Sequence, residues 1–261
     1  MTTVVYLYGT PSSAALHPWW VEDAKQRGID LVGYERPGYG DTPRMEGRDI
    51  AAIAHEVARF VDGLGVDRFA VWGISGGAPH ALACAALLPD RVIAAAALGC
   101  PAPYDAEGLD WWDGYGEGNV AEFGATLEGE EVLRPLLEQE AAAMLAGGES
   151  GLDTLLAPPD QTILPQLKEM LGQSFADALA GGVDGWLDDD LAFVKPWGFD
   201  LAEIRVPVLL VHGEQDVFVP VEHARWLAPR VPGVDARFLP EEAHLSLYAR
   251  IPEVHEWLLA Q

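Results

Sequence analysis

The pentapeptide Gly73-Ile74-Ser75-Gly76-Gly77 is the part of the chain whose residue types point most directly to chemistry. An apolar, strand-forming run precedes it, and a run of small residues typical of a helix follows it. In that setting the serine sits on a tight strand-to-helix turn, where its hydroxyl is exposed and the helix N-terminus supplies free N–H groups. The pattern predicts that Ser75 is a nucleophile, although a glycine-serine turn without a catalytic role fits the same residues.

A serine hydroxyl becomes a strong nucleophile only beside a base that removes its proton and an acid that orients the base. Asp216 lies just after the apolar run at residues 206–212, and His244 follows a strand-like run that ends at Leu239. The carboxyl ends of parallel strands meet at one edge of a sheet. Ser75, Asp216 and His244 are therefore predicted to come together there as a catalytic triad.

Each of these residues also has a simpler interpretation. Asp216 could be a loop or capping aspartate, and His244 could cap the last helix. Glu214 is a rival acid two residues before Asp216, whereas His212 is interpreted as structural. The convergence of three distant residues on one edge of a sheet favours the triad over these separate alternatives.

Attack by a serine also requires two backbone N–H groups that bind the negative oxygen formed on the substrate. Gly76, directly after the nucleophile, is predicted to supply one of them. The other is assigned to Thr10, in the loop after the first strand, because Pro11 has no N–H. The alternative is that this loop is only a tight turn.

These residues belong to an alternation of strands and helices that is typical of an α/β fold. It predicts a mostly parallel sheet with helices on both faces, and Asp49 is predicted to cap the second helix. The predicted strands are residues 4–8, 29–34, 69–74, 92–98, 206–212 and 236–239, and helices are predicted at 17–27, 50–64, 76–88, 221–228 and the C-terminus.

The strand pattern disappears between residues 101 and 197, where several short helical patterns replace it. We interpret residues 1–100 and 198–261 as one core domain. Residues 101–197 are interpreted as a helical cap inserted between the fourth and fifth strands.

Two groups of residues in this insertion predict specific surfaces, namely a substrate pocket and a solvated face. Trp111, Trp112 and Tyr115 are predicted to line a substrate pocket, with packing inside the cap as the alternative. The run Asp188-Asp189-Asp190 is interpreted as a solvated face or helix cap in preference to a metal site.

The chain resembles the α/β-hydrolase superfamily, in particular small bacterial hydrolases that carry a cap. Members usually have His-Gly-x-Pro in the first motif and Asp-Arg-Pro-Gly-x-Gly in the second. Here Tyr8 replaces the histidine and Glu35 replaces the aspartate. These replacements concern side-chain hydrogen bonds around the oxyanion loop and leave its backbone donors in place. The resemblance implies about six strands instead of the usual eight, and a lid at residues 101–197. It covers nearly the whole chain and rests on Tyr8-Gly9-Thr10-Pro11, Glu35-Arg36-Pro37-Gly38-Tyr39-Gly40, residues 73–77, Val211-His212-Gly213-Glu214-Gln215-Asp216 and Ala243-His244.

The resemblance implies esterase-type hydrolysis, in which Ser75 attacks a carbonyl carbon, His244 accepts its proton and water later releases the acyl group. We predict a carboxylic ester or lactone of small to medium size with an apolar or aromatic group. A carbon–carbon bond hydrolase or a cofactor-free tailoring enzyme with the same triad is the alternative, and a non-catalytic ligand-binding protein is a further one. No dinucleotide, phosphate or metal motif is present, so we expect no cofactor and no metal.

The composition restricts the partners. A net charge of −25 disfavours nucleic acid and anionic membranes, so a small-molecule substrate is the expected partner of a monomer or homodimer. Cys84 and Cys100 lie in apolar runs and are predicted to be buried free thiols, which fits a cytoplasmic location. The first residues lack the pattern of a signal peptide, and no apolar run is long enough to span a bilayer.

Overall fold

A six-stranded sheet forms the centre of the protein in the computed structural model, which describes residues 1–146 and 154–261. The strands are β1 (Thr2–Leu7), β2 (Ile29–Gly33), β3 (Phe69–Ile74), β4 (Val92–Leu98), β5 (Val208–Gly213) and β6 (Asp235–Leu239). Their order across the sheet is β2-β1-β3-β4-β5-β6, and every neighbouring pair is parallel. The predicted α/β sheet of about six strands is confirmed.

Side chains that alternate along the strands divide between two apolar layers, so both faces of the sheet are covered. In β1, Val5 and Leu7 belong to one layer, whereas Val4 and Tyr6 belong to the other. The first layer includes helices α2 (Ile50–Gly63), α3 (Ala78–Leu87) and α8 (Val221–Leu227), and the second includes α1 (Pro18–Gln26) and α9 (Ile251–Leu259).

The ends of the elements lie within a few residues of the predicted ones. Asp49 caps α2 as predicted, because its Oδ1 accepts a 2.8 Å hydrogen bond from the N–H of Ala52. One difference follows β3, where a helix was predicted from Gly76. Ser75–Gly77 instead form a short 3-10 turn, and α3 begins only at Ala78.

The chain between β4 and β5 contains helices and, within the described residues, no strand. These helices are α4 (Glu117–Glu128), α5 (Glu130–Ala146), α6 (Pro158–Ala178) and α7 (Asp184–Phe193). Residues 147–153 of the predicted cap lie outside the described residues. The predicted helical character of this region is confirmed, whereas the division of the chain into a core and a cap stays a prediction.

Two further observations concern single features of the sequence. Cys84 and Cys100 are buried and free, as predicted. Of the helices that the structure describes, none combines the length and the apolar character needed to cross a membrane.

The close approach of the Ser75–Gly77 turn to the end of β1 requires a glycine at position 77. A Cβ added to Gly77 would overlap the carbonyl oxygens of Leu7 and Tyr8. We therefore expect Gly77→Ala to lower the free energy of unfolding by about 3 kcal/mol, because the backbone must shift to accept the methyl group. Urea unfolding followed by circular dichroism measures this change.

Gly63→Ala is the matched control. Gly63 ends α2, and no described atom lies within 4 Å of an added Cβ there. Since alanine favours a helix over glycine by about 1 kcal/mol, this variant should be as stable as the wild type or slightly more stable. Equal stability of the two variants would contradict the close approach at Gly77.

Candidate active site

Ser75 lies directly after β3 with a backbone φ of 53°, in the left-handed region that residues with side chains avoid. Among the non-glycine residues in the described part of the chain, it alone has a positive φ. A Cβ on Gly73 would overlap the backbone of Gly77, so the turn depends on the glycines that flank the serine. Such strain costs about 1–3 kcal/mol and concentrates at functional sites.

His244 and Asp216 form a buried pair. Nδ1 of His244 lies 2.7 Å from Oδ2 of Asp216, and the two side chains are 3% and 0% exposed. The other carboxylate oxygen, Oδ1, accepts a 2.8 Å hydrogen bond from the N–H of Val219. Because Nδ1–H is donated to Asp216, Nε2 is the imidazole nitrogen left to accept a proton.

The charge of Asp216 controls the protonation of His244. Burial acts to lower the pKa of His244, but the Asp216 carboxylate and its hydrogen bond outweigh burial, so the pKa is raised above its usual value. The carboxylate of Asp160 acts in the same direction. The imidazole is therefore a stronger base than an isolated one.

Asp160 is a site residue that the sequence analysis did not identify. It lies in the first turn of α6, and its carboxylate accepts hydrogen bonds from the N–H groups of His244 (3.3 Å) and Ser246 (2.9 Å). These contacts fix the loop that carries the histidine. No sequence signal marks Asp160, because its partners follow 84 and 86 residues later in the chain.

Ser75 and His244 line the same cavity, which has a volume of about 400 Å³. The ring of Phe218 stacks on the imidazole, with 4.6 Å between ring centroids and 19° between planes. A cavity of this size suits a small to medium organic group. Most of the remaining lining is apolar: Met144, Leu156, Leu164, Leu171, Phe175, Leu245 and Tyr248.

The rival acid and the second histidine have other partners. The carboxylate of Glu214 accepts a 2.7 Å hydrogen bond from Arg225 near the surface. Nε2 of His212 lies 2.8 Å from the carbonyl oxygen of Val219, to which it donates, and 3.5 Å from Oδ2 of Asp216. The structure therefore pairs Asp216, and not Glu214, with the imidazole of His244.

Thr10 and Gly76 lie side by side next to the serine. A Cβ added to Gly76 would overlap the side chain of Thr10, and both residues line a small cavity together with Ser75. The structure thus brings the two predicted oxyanion residues together. That their N–H groups bind an oxyanion stays a prediction.

The interpretation of Asp188-Asp189-Asp190 as a solvated face is wrong. The three aspartates are 2%, 0% and 1% exposed, respectively, in α7. Asp189 forms ion pairs of 2.5 Å with both Arg36 and Arg48, which are also buried. Charges can be buried when they are paired, and arginines this far away in sequence leave no local signal.

Asp189 also holds the predicted oxyanion loop. Its carboxylate accepts hydrogen bonds from the hydroxyls of Thr10 (2.6 Å) and Tyr39 (2.7 Å). Arg36 donates in turn to Oγ1 of Thr10 (3.1 Å) and to the carbonyl oxygen of Tyr8 (2.6 Å). Burial acts to raise the pKa of Asp189, but the guanidinium groups outweigh it and hold the pKa well below its usual range.

Tyr8 and Glu35, the two residues that replace the usual histidine and aspartate, also contact this loop region. The hydroxyl of Tyr8 accepts a 2.7 Å hydrogen bond from the N–H of Arg36, whose guanidinium carbon lies 4.0 Å from the centre of the tyrosine ring. Oε2 of Glu35 accepts a 3.2 Å hydrogen bond from the N–H of Ala14. The replacements therefore supply side-chain hydrogen bonds of their own.

Of the three predicted pocket aromatics, Tyr115 shares a cavity with the serine. Among the described residues that line the two cavities at Ser75, Tyr115 is present, whereas Trp111 and Trp112 are not. Trp111 is buried, its ring centre is 5.0 Å from that of Tyr115, and its Nε1 donates to the carbonyl oxygen of Ala102. Trp112 packs on Trp111 with ring centres 5.5 Å apart.

Comparison with known proteins agrees with this architecture. Residues 2–249 match the family described as alpha/beta hydrolase fold. One relative is the dihydrolipoyllysine-residue acetyltransferase component of an acetoin cleaving system from Cupriavidus necator, to which the chain is 28% identical over 246 residues. The aligned region covers 94% of this chain and 59% of that protein. The chain therefore spans about three fifths of the length of that relative.

Solved structures with a similar fold include two whose names describe hydrolytic enzymes. The enol-lactonase from Burkholderia xenovorans has a TM-score of 0.73 and 17% identity, covering 100% of this chain and 92% of that one. The thermophilic esterase from Thermogutta terrifontis has a TM-score of 0.72 and 19% identity, covering 100% and 90%. At these identities the likeness shows a shared fold.

The pH dependence of hydrolysis tests the His244–Asp216 pair. As a base His244 must be neutral, so kcat/KM should rise as the imidazole loses its proton. Because its pKa is raised, the midpoint of the rise is expected above 6.5. In Asp216→Asn the charge that raises this pKa is lost, so the midpoint should move to lower pH, and kcat should fall about 10⁴-fold.

Glu214→Gln is the control for that profile, because it removes a carboxylate from the same loop that pairs with Arg225 and not with His244. It should retain both the rate and the midpoint of the wild type. A midpoint that stays in place in Asp216→Asn, or that moves in Glu214→Gln, would contradict the assignment of the acid.

The buried ion cluster predicts a large stability effect. Asp189→Asn leaves Arg36 and Arg48 buried without their carboxylate, so the free energy of unfolding should fall by about 3–5 kcal/mol. Asp184→Asn, on the same helix, removes a partly exposed pair with Arg134 and should cost less than about 1 kcal/mol. Chemical denaturation of both variants measures the difference, and equal stabilities would refute the role of the cluster.

Proposed function

Because the chain belongs to the alpha/beta hydrolase fold family, we propose that it is a serine hydrolase that cleaves a carboxylic ester or lactone through an acyl-enzyme on Ser75. One observation carries the proposal. A serine in a strained strand-to-helix turn lines the same cavity as a histidine whose Nδ1 lies 2.7 Å from a buried carboxylate. This arrangement supports Ser75 as the nucleophile, His244 as the base and Asp216 as the orienting acid.

In the proposed reaction, Oγ of Ser75 attacks the carbonyl carbon while Nε2 of His244 takes the hydroxyl proton. The negative oxygen that forms accepts hydrogen bonds from the N–H groups of Thr10 and Gly76. The intermediate then expels the alcohol, which takes the proton from His244. Water next attacks the acyl-enzyme with His244 again as the base, and this step releases the acid and restores the serine.

The cavity supports a substrate of small to medium size with an apolar or aromatic group. Its volume is about 400 Å³, and leucine, methionine and aromatic side chains form most of its lining. An esterase and an enol-lactonase share the fold, which is consistent with ester or lactone cleavage here.

Two other functions use the same scaffold. A carbon–carbon bond hydrolase or cofactor-free tailoring enzyme would leave a panel of esters unchanged while Ser75 still reacted with a fluorophosphonate. A non-catalytic binding protein would show no such reaction at Ser75 in the folded chain.

The expected result for Ser75→Ala is the loss of p-nitrophenyl acetate and butyrate turnover, by at least about 10³-fold, because no other group forms the acyl-enzyme. Release of p-nitrophenol measures this loss. Fluorophosphonate labelling followed by mass spectrometry should modify the wild type and not the variant.

Ser12→Ala is the matched control for labelling. Ser12 lines the same cavity, but its Oγ lies 2.7 Å from that of Ser174 instead of beside an imidazole. This variant should still be labelled at Ser75. Ester turnover that survives in Ser75→Ala would rule out the proposed mechanism.

A further inference from the structure

A second cavity also reaches the proposed nucleophile. It has a volume of about 50 Å³, enough for a small polar group. It shares Ser75, Thr10, Pro11 and Phe218 with the larger cavity, so both cavities meet at the serine. The walls away from the serine carry polar groups, namely Tyr115, Asn119, Glu122 and Asp190.

Two atoms in this small cavity are buried without the partners that polar groups usually have. Oη of Tyr115 has no hydrogen-bond partner among the described residues. Oδ2 of Asp190 likewise has none apart from the neighbouring Glu122 carboxyl group, and the side chain is 1% exposed. A buried polar atom left unpaired destabilises the folded protein, so such atoms beside Ser75 point to a ligand group that pairs with them.

The neighbours of Asp190 on α7 show why its charge differs. The carboxylate of Asp188 forms an ion pair with Arg44. That of Asp189 forms ion pairs with Arg36 and Arg48. No lysine or arginine is among the described residues that line the small cavity. Among the described residues, Asp190 is therefore the one aspartate of the three that lines the small cavity and forms no ion pair with an arginine.

Glu122 completes an acidic pair with Asp190. Both side chains line the small cavity, and Nε1 of Trp186 donates a 2.8 Å hydrogen bond to Oε1 of Glu122. Burial raises the pKa of Asp190, and the Glu122 charge raises it further. A cation in the cavity would stabilise both groups in their charged form.

The remaining groups of the cavity are mostly acceptors as well. Nδ2 of Asn119 donates one of its two N–H groups to the carbonyl oxygen of Phe218 at 2.6 Å, and the side-chain oxygen can accept. The hydroxyl of Tyr115 can accept through its oxygen. The cavity therefore suits a group that has several N–H donors and a positive charge.

We propose that Glu122 and Asp190 bind a primary ammonium group of the substrate, held beside the carbonyl carbon that Ser75 attacks. This inference rests on the proposed ester hydrolysis and names its substrate class: an ester or lactone with an amino group a few bonds from its carbonyl. The larger cavity takes the apolar remainder, and the small cavity takes the cationic end.

Three ethyl esters of nearly equal size test this subsite. Ethyl 3-aminopropionate presents an ammonium group, ethyl butyrate a methyl group and ethyl 3-hydroxypropionate a neutral hydroxyl group at the same position. Titration of the released acid gives kcat/KM for each ester. The wild type should prefer the ammonium ester over ethyl butyrate by about tenfold or more, as charge-assisted hydrogen bonds predict.

Glu122→Gln and Asp190→Asn should reduce that preference, the ratio of kcat/KM for the ammonium ester to kcat/KM for ethyl butyrate, about tenfold. Glu122 is only partly buried, so its variant keeps the test valid if Asp190→Asn fails to fold. Glu117→Gln is the matched control, because it removes one exposed carboxylate from the same helix α4 and should leave the preference unchanged.

The subsite is overturned if the wild type hydrolyses ethyl butyrate or the hydroxy ester as well as the ammonium ester, or if both variants slow all three esters by one factor. Failure of ester hydrolysis itself has a different signature, since the wild type would then cleave none of the three. A separate readout remains in that case: propylammonium chloride should raise the Tm of the wild type more than that of Glu122→Gln. Equal shifts would overturn the subsite without reference to activity.

Discussion

The fully buried carboxylate of Asp189 connects the elements that surround the candidate nucleophile. A charge in a protein interior is stable only when opposite charges and hydrogen bonds replace its hydration, and here Arg36 and Arg48 provide them. The same carboxylate accepts from the hydroxyl of Thr10. The position of the loop after β1 therefore depends on a helix that lies between β4 and β5 in sequence.

A second buried carboxylate, that of Asp216, controls the protonation of the candidate base. Asp216 lies against His244, fixes which imidazole nitrogen carries the proton and raises the affinity of the ring for a second one. Asp160 supports the same loop from α6. The helices between β4 and β5 thus contact both ends of the candidate machinery, the oxyanion loop through α7 and the histidine loop through α6.

Much of this arrangement could be predicted from the sequence, because the relevant signals are local. Strand-forming runs followed by Ser75, Asp216 and His244 place these residues at one edge of a parallel sheet, and Asp49 is recognisable as a helix cap. The burial of Asp188-Asp189-Asp190 could not be predicted, because a run of acidic residues is expected to be exposed to solvent unless its arginine partners are known. For Asp160, and for the pairing of Asp190 with Glu122, only the folded chain reveals the contact.

The most direct measurement of the central claim is mass spectrometry of the protein quenched with acid during turnover of p-nitrophenyl butyrate. We expect a covalent butyryl adduct, with peptide mapping placing it on Ser75, and a burst of p-nitrophenol equal in amount to the enzyme when deacylation is slow. Turnover with no adduct at any time, or an adduct on another residue, would contradict the account.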